Sequence, residues 1–228
     1  MRSIKTLITN IIHIQIFYIN YIILYNKMQK YTFIHPTKCG GTAVEQYFQN
    51  NYSNIITGSG HKNVCTAINN PIIIIRDPID RFISMYNYWK NGSTNGLYIR
   101  DNNFIKKYGN YTIKDYIKLL KTNAVRDLNH KFTWRQHYAA QTSWIKKDYY
   151  KNAIVIKYDE NLDTKIHELL NYLNITDKNI ILNKVNVTKK DEVILDNDDI
   201  NFIKNRYNSD FELINNINNK PELFKKVI

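Results

Sequence analysis

Short apolar runs alternate with stretches of helical periodicity from residue 30 onward. That rhythm predicts an α/β domain built on a mainly parallel sheet. Tyr31 to His35 reads as a short strand, and a turn from Pro36 to Gly41 leads into a helix beginning near Thr42. Pro71 to Ile75 is almost pure isoleucine, too short for a helix and apolar on both sides, as a central strand buried on both faces would be. Asp77-Pro78 then supplies an N-cap and a first-turn proline for a second helix. Beyond it the pattern predicts helices near 112–122 and 133–146, a buried strand from Ala153 to Tyr158, a helix over 162–173, and a long closing helix from Asp198 to Ile217.

No internal repeat and no linker rich in Pro, Gly or Ser divides the chain. With 228 residues, one domain with one sizeable core is expected over 28–228. The fold class expected is a single α/β domain with three layers and a central mainly parallel sheet flanked by helices. Residues 1–27 form an apolar extension whose stretch from Leu7 to Tyr25 approaches the ~20 residues that cross a bilayer as a helix. It is a candidate membrane anchor, interrupted by Asn10, His13, Gln15 and Asn20.

Composition excludes several classes. Apolar residues make up 43 % of the chain, which argues against wholesale disorder. Two cysteines cannot build a disulfide scaffold or a four-thiolate zinc site, and Cys39 and Cys65 have no partners at ligand spacing, so no metal is implied. The net charge of +12 favours an anionic partner. Its lysines are spread along the whole chain with Ile and Asn, so nucleic acid is not the expected partner.

Two strand-to-helix turns carry the candidate chemistry. The first runs His35-Pro36-Thr37-Lys38-Cys39-Gly40-Gly41-Thr42. Paired glycines allow a ligand close to the backbone, the helix start offers free N–H groups, and Lys38 adds a charge, which together suit an anion. It is not a Walker A loop, since the lysine precedes the glycines. The second turn starts at Arg76-Asp77-Pro78 and opens a helix with Ile79, Phe82, Ile83 and Tyr86 on one face. Asp77, Arg81, Ser84 and Tyr88 lie on another face, expected to be polar. Arg76, at the carboxyl end of a buried strand, sits where open α/β sheets bind ligands and suits a phosphate. The structural alternative is that Arg76 and Arg81 pair with Asp77 and Asp80.

Together the turns resemble the sulfotransferases that use 3′-phosphoadenosine 5′-phosphosulfate (PAPS), especially the carbohydrate branch with the heparan and uronyl enzymes. The first family signature, H-I-P-K-T-G-G-T, is similar to His35 through Thr42; the second, R-D-P-x-x-R-x-x-S-x-Y, is matched in full by Arg76 through Tyr86. Weaker similarity continues at Gly60-His61, His137 to Gln141, Tyr158 to Leu162, Asn186 to Thr188 and Tyr207 to Phe211. Cys39 departs from the usual hydroxyl residue, and Pro36-Thr37 from Ile-Pro.

The resemblance implies that Lys38, Gly40, Gly41 and Thr42 hold the 5′-phosphosulfate and that Arg76 and Ser84 hold the 3′-phosphate. It further implies His61 as general base, with Glu45 on the first helix as the alternative. His137 and Gln141, four apart on the expected helix, would share a face and could hold the acceptor or the sulfuryl oxygens. The implied fold is P-loop-like, and the implied function is transfer of a sulfuryl group from PAPS to an acceptor hydroxyl, on a carbohydrate by this resemblance, without a metal. The alternative is a non-catalytic module that binds an anionic ligand, or a degenerate relative that retains PAPS.

Overall fold

The computed structural model describes residues 15, 30–58, 60, 70–92, 106, 109–122, 137–176, 180–182 and 188–228. Apart from Gln15, the candidate anchor at 7–25 lies outside these residues. Among the described residues no helix is long and apolar enough to cross a membrane.

Five parallel strands form one sheet in the order β2-β1-β3-β4-β5. They are β1 (Tyr31–Ile34), β2 (Ile56–Gly58), β3 (Pro71–Ile75), β4 (Ile154–Lys157) and β5 (Lys226–Val227). The longer helices among the described residues are α1 (Gly41–Tyr52), α2 (Pro78–Asn91), α3 (Ile113–Lys121), α4 (Leu162–Tyr172), α5 (Asn197–Arg206) and α6 (Asn208–Asn219). The result is the expected P-loop-like α/β arrangement in three layers.

Central β3 is buried along its whole length, and its alternating side chains feed both faces of the sheet. Ile72 and Ile74 pack with Phe33, Ile154 and Ile156 against Val44 and Phe48 of α1 and Ile166, Leu169 and Leu170 of α4. Ile73 and Ile75 face the other way, with Ile34 and Val155, onto Trp144, Ile145 and the α6 residues Leu213 and Ile217. Each isoleucine so buried contributes about 1.5–3 kcal/mol. A third cluster joins α2, α3 and α5 through Phe82, Met85, Trp89, Tyr116, Ile117, Leu120 and Ile203.

Local capping follows the sequence. Asp77 accepts hydrogen bonds from the N–H groups of Ile79 (2.9 Å) and Asp80 (3.0 Å), with Pro78 at the first helical position. Two expectations are corrected. The single closing helix is broken at Tyr207, because Ile203 and Tyr207 belong to the cluster over α2 whereas Leu213 and Ile217 belong to the sheet face. One straight rod cannot serve both. Nor does the helix expected over 133–146 continue to its end: His137 and Tyr138 are helical, but the helix stops there and Gln141–Ser143 form a separate 3-10 turn. The backbone N–H groups of Gln141 and Thr142 are taken by the Asp210 carboxylate, at 2.8 and 3.0 Å, in place of carbonyls one turn back. The edge strands β2 and β5, only three and two residues long, had no counterpart in the sequence pattern.

The strand order fixes where a ligand belongs. From β1 the chain moves outward to β2, then returns to β3 on the opposite side of β1. The crevice between the carboxyl ends of β1 and β3 is therefore the topological switch point, the usual binding place in open α/β sheets. Both sequence turns leave the sheet there.

Candidate functional site

In the first turn His35, Pro36, Thr37 and Cys39 are buried, while Lys38 is half-buried and Gly40 exposed. Lys38 and Gly40 both adopt left-handed backbone, with φ of 65° and 73°. Such conformations form the concave backbones that receive anions. For Lys38, which has a Cβ, that conformation is costly and must be held from outside. Two arginines hold it. Arg81 donates from Nε to the Thr37 carbonyl at 2.8 Å, and Arg76 donates from Nη1 to the Lys38 carbonyl at 3.1 Å.

Helix α1 follows with Gly40 as N-cap, no side-chain cap and no acidic residue in its first turn. Its first N–H groups and dipole are thus left for an anion. Both glycines are fixed by close neighbours. A Cβ on Gly40 would lie 2.4 Å from Cε2 of Tyr158, and one on Gly41 would lie 2.2 Å from Cβ of His35. Thr42 is half-buried in the first turn of α1.

Arg76 leaves β3 with its guanidinium 4.7 Å from the ring centroid of Tyr158. Its Nε is buried with no hydrogen-bond partner among the described residues, so a basic group with donors to spare lies beside the Lys38 turn. The Lys38 ammonium stands 4.3 Å from the ring centroid of Tyr88 on α2, an attractive cation–π position. The same tyrosine stacks with His137, centroids 5.4 Å apart and planes 20° apart. Ser84 is half-buried on α2, about two turns from its N-cap.

The face of α2 expected to be polar is largely buried. Arg81 is 2 % exposed and Tyr88 6 %. Neither Arg76 nor Arg81 pairs with Asp77 or Asp80 among the described residues, which corrects the structural alternative. The Arg81 guanidinium goes inward to the carbonyls of Thr37, Ala139 (3.0 Å) and His137 (3.2 Å) and to the Thr37 hydroxyl (3.3 Å). Four acceptors offset the cost of burying its charge.

His137 and Gln141 do not share a helical face, since Gln141 opens the separate 3-10 turn. Gln141 is fully buried. Its Oε1 accepts from the Arg76 N–H (2.9 Å) and the Cys39 thiol (3.2 Å), and its Nε2 donates to the Arg76 carbonyl (2.8 Å). Burial pushes the Cys39 thiol up to about 11, against the pull of Arg81 and Arg76. Burial also raises the Asp210 carboxyl, against the lowering effect of the N–H groups of Gln141 and Thr142.

Glu45, on α1, bonds His35 Nε2 at 3.0 Å through Oε2 and accepts the Gly60 N–H at 2.8 Å through Oε1. His61, next in the chain, lies outside the described residues, as do Cys65 and Asn186. The sequence pattern alone does not single out the contributions of Asp210 and Tyr88 to this region. Asp210 stood inside the weakly similar Tyr207–Phe211 segment, the one signal that pointed to it. Tyr88 was marked only by its spacing from Ser84.

Two basic turns thus meet at the switch point of a P-loop-like sheet. The chain belongs to the sulfotransferase family: a family model described as "Sulfotransferase family" matches residues 19–215. Comparisons with curated proteins and with solved structures gave no match. The protein is thus a transferase of the sulfuryl-transferring kind, whose family implies a sulfate donor.

Proposed function

We propose that the donor is PAPS and that the acceptor is a hydroxyl on a carbohydrate. The observation that carries the donor is the hydrogen bond from Arg76 Nη1 to the Lys38 carbonyl, 3.1 Å long, which joins two basic turns at one sheet edge; the carbohydrate acceptor rests on the resemblance of the two turns to the carbohydrate sulfotransferases. A donor with a 5′-phosphosulfate and a 3′-phosphate needs two anion-holding turns side by side. Lys38, Gly40, Gly41 and Thr42 would take the phosphosulfate, and Arg76 and Ser84 the 3′-phosphate.

In the proposed step the acceptor oxygen attacks sulfur as the bond from sulfur to the bridging phosphate oxygen breaks. The hydroxyl proton passes to His61, and adenosine 3′,5′-bisphosphate leaves with the electron pair. Lys38 offsets the charge that grows on the bridging oxygen, a preorganised term that is usually large in catalysis. Its ammonium stands 4.3 Å from the ring centroid of Tyr88, a contact that attracts a cation. A base near neutral pKa suits the proton transfer, and histidine has one.

The test has two stages. Adenosine 3′,5′-bisphosphate should raise the melting temperature, and labelled sulfate should then move from PAPS to a glycan in a panel that also holds tyrosine peptides and small alcohols. Transfer to peptides or alcohols alone would replace the carbohydrate acceptor. Stabilisation with no transfer across the panel would leave the non-catalytic alternative.

A further inference from the structure

Gln141 occupies a position that the strand geometry leaves open. The Ile75 carbonyl accepts from the Tyr158 N–H at 2.7 Å on the β4 side. Backbone groups of successive strand residues point to opposite sides, so the N–H and C=O of Arg76 point toward β1. The chain of β1 has already turned away there to make the Lys38 turn, and both Arg76 groups would be orphaned. Orphaned buried groups of this kind are costly. The Gln141 side-chain amide fills the gap: Oε1 accepts from Arg76 N at 2.9 Å and Nε2 donates to Arg76 O at 2.8 Å. It acts as one residue of substitute β-strand.

The same Oε1 atom accepts the Cys39 thiol, at 3.2 Å. One buried oxygen is therefore bonded to both turns. Gln141 is in turn held by Asp210, fully buried at the start of α6, whose Oδ2 accepts the Gln141 N–H at 2.8 Å. A continuous set of hydrogen bonds thus runs from α6 to the two turns.

We propose that Gln141 is a positioning residue that fixes the spacing of the Lys38 turn relative to Arg76, and so selects a ligand carrying anionic groups for both turns at once. This rests on the proposed donor. A ligand that bridges two preset subsites gains from the second contact as an intramolecular event, and the gain disappears when the subsites lose their relative geometry. Gln141→Met keeps the volume and removes all three side-chain hydrogen bonds. Cys39→Val removes the thiol's bond to Gln141 and leaves the amide's two bonds to Arg76 in place.

The experiment is calorimetric binding of adenosine 3′,5′-bisphosphate, adenosine 5′-monophosphate and adenosine 3′-monophosphate to the full chain and to both variants, with folding checked by circular dichroism. The wild type should prefer the bisphosphate. Gln141→Met should lose about tenfold or more of that preference while its monophosphate affinities hold, since the effect is on bridging. Cys39→Val should lose part of it. A general loss of structure would weaken all three ligands alike. If a folded variant of either kind keeps the wild-type preference, Gln141 does not set the spacing; should Gln141→Met fail to fold, Cys39→Val decides. A wild type with no preference for the bisphosphate would overturn the donor itself, and the positioning role with it.

Discussion

The guanidinium of Arg76 donates to the backbone carbonyl of Lys38 at 3.1 Å. The charge at the end of β3 is thereby anchored to the turn that follows β1, and the left-handed Lys38 backbone is held by a group that itself carries charge. The proposed roles of the two residues make binding and catalysis separable. Lys38→Met should lower the rate of sulfuryl transfer by about 10²–10³-fold with a smaller change in bisphosphate affinity. Arg76→Met should do the reverse, weakening the bisphosphate sharply, and Arg76→Lys should rescue little because an ammonium lacks the fork. Single-turnover rates and calorimetric affinities, measured on the same preparations, separate the two effects; Lys38→Met with a near-normal rate would remove the lysine from the reacting centre.

Arg81 is the more structural of the two arginines. Its four acceptors belong to two segments distant in sequence, Thr37 in the first turn and His137 and Ala139 ahead of the 3-10 turn. Arg81→Met would leave three buried carbonyls without that donor, and the loss should be about 3–5 kcal/mol in urea unfolding. A loss below about 0.5 kcal/mol, the ordinary scale of a surface change, would show that water replaces the guanidinium.

Much of this was legible in the sequence where a local rule decides the outcome. The Pro71–Ile75 run could only be a doubly buried strand, and Asp77-Pro78 set the start of α2 by capping chemistry alone. The burial of Arg81 was not legible, because helical spacing shows which residues share a face but not what lies over it. What covers it is the turn at Thr37 and the segment from His137, brought in by tertiary structure. The break at Tyr207 had the same origin: no Gly or Pro marks it, and the periodicity of 198–217 continues through it, but the two halves pack on different clusters. Gln141 was noticed for its spacing from His137, on a helix that the Asp210 carboxylate replaces with a 3-10 turn.

Glu45 and His61 are the two candidate bases, and the contacts of Glu45 bear on the choice. Its two oxygens are engaged by His35 and by the Gly60 N–H. Glu45→Gln retains an oxygen acceptor for Gly60 and should keep most of the turnover. His61→Ala should reduce turnover by about 10²–10⁴-fold, the usual contribution of a general base, with donor affinity little changed. Steady-state kinetics with saturating PAPS give the ranking, and the reverse order would make Glu45 the base.

Gly41→Ala tests the packing behind the first turn. In an ordinary helix this change stabilises by about 0.5–1 kcal/mol. Here the new methyl would meet the His35 side chain at 2.2–2.6 Å. His35 is 1 % exposed, stacked on Phe33 with centroids 5.6 Å apart, and bonded to Glu45, so it has no free direction of retreat. The sign should therefore reverse, to a destabilisation of about 1–3 kcal/mol in denaturant unfolding, as for other overpacked sites.

Cys39 gives the fold a pH dependence at its alkaline end. Its thiol is pushed from an ordinary value of 9.0 to about 11 by burial. The unfolded chain therefore releases this proton near pH 9 while the folded chain keeps it until about pH 11. Between those values the folded state binds more protons, so stability falls as pH rises. The full contribution is present below pH 9 and amounts to about 2–3 kcal/mol over the window, at 1.36 kcal/mol per pH unit. Tyrosines and lysines titrate in the same range, but they are common to the wild type and to Cys39→Val. The difference in unfolding free energy between the two, followed from pH 8 upward, isolates the thiol. It should move in favour of Cys39→Val as pH increases; a difference that stays flat to pH 11 would mean that water reaches the sulfur and that the turn is less closed than its hydrogen bond to Gln141 implies.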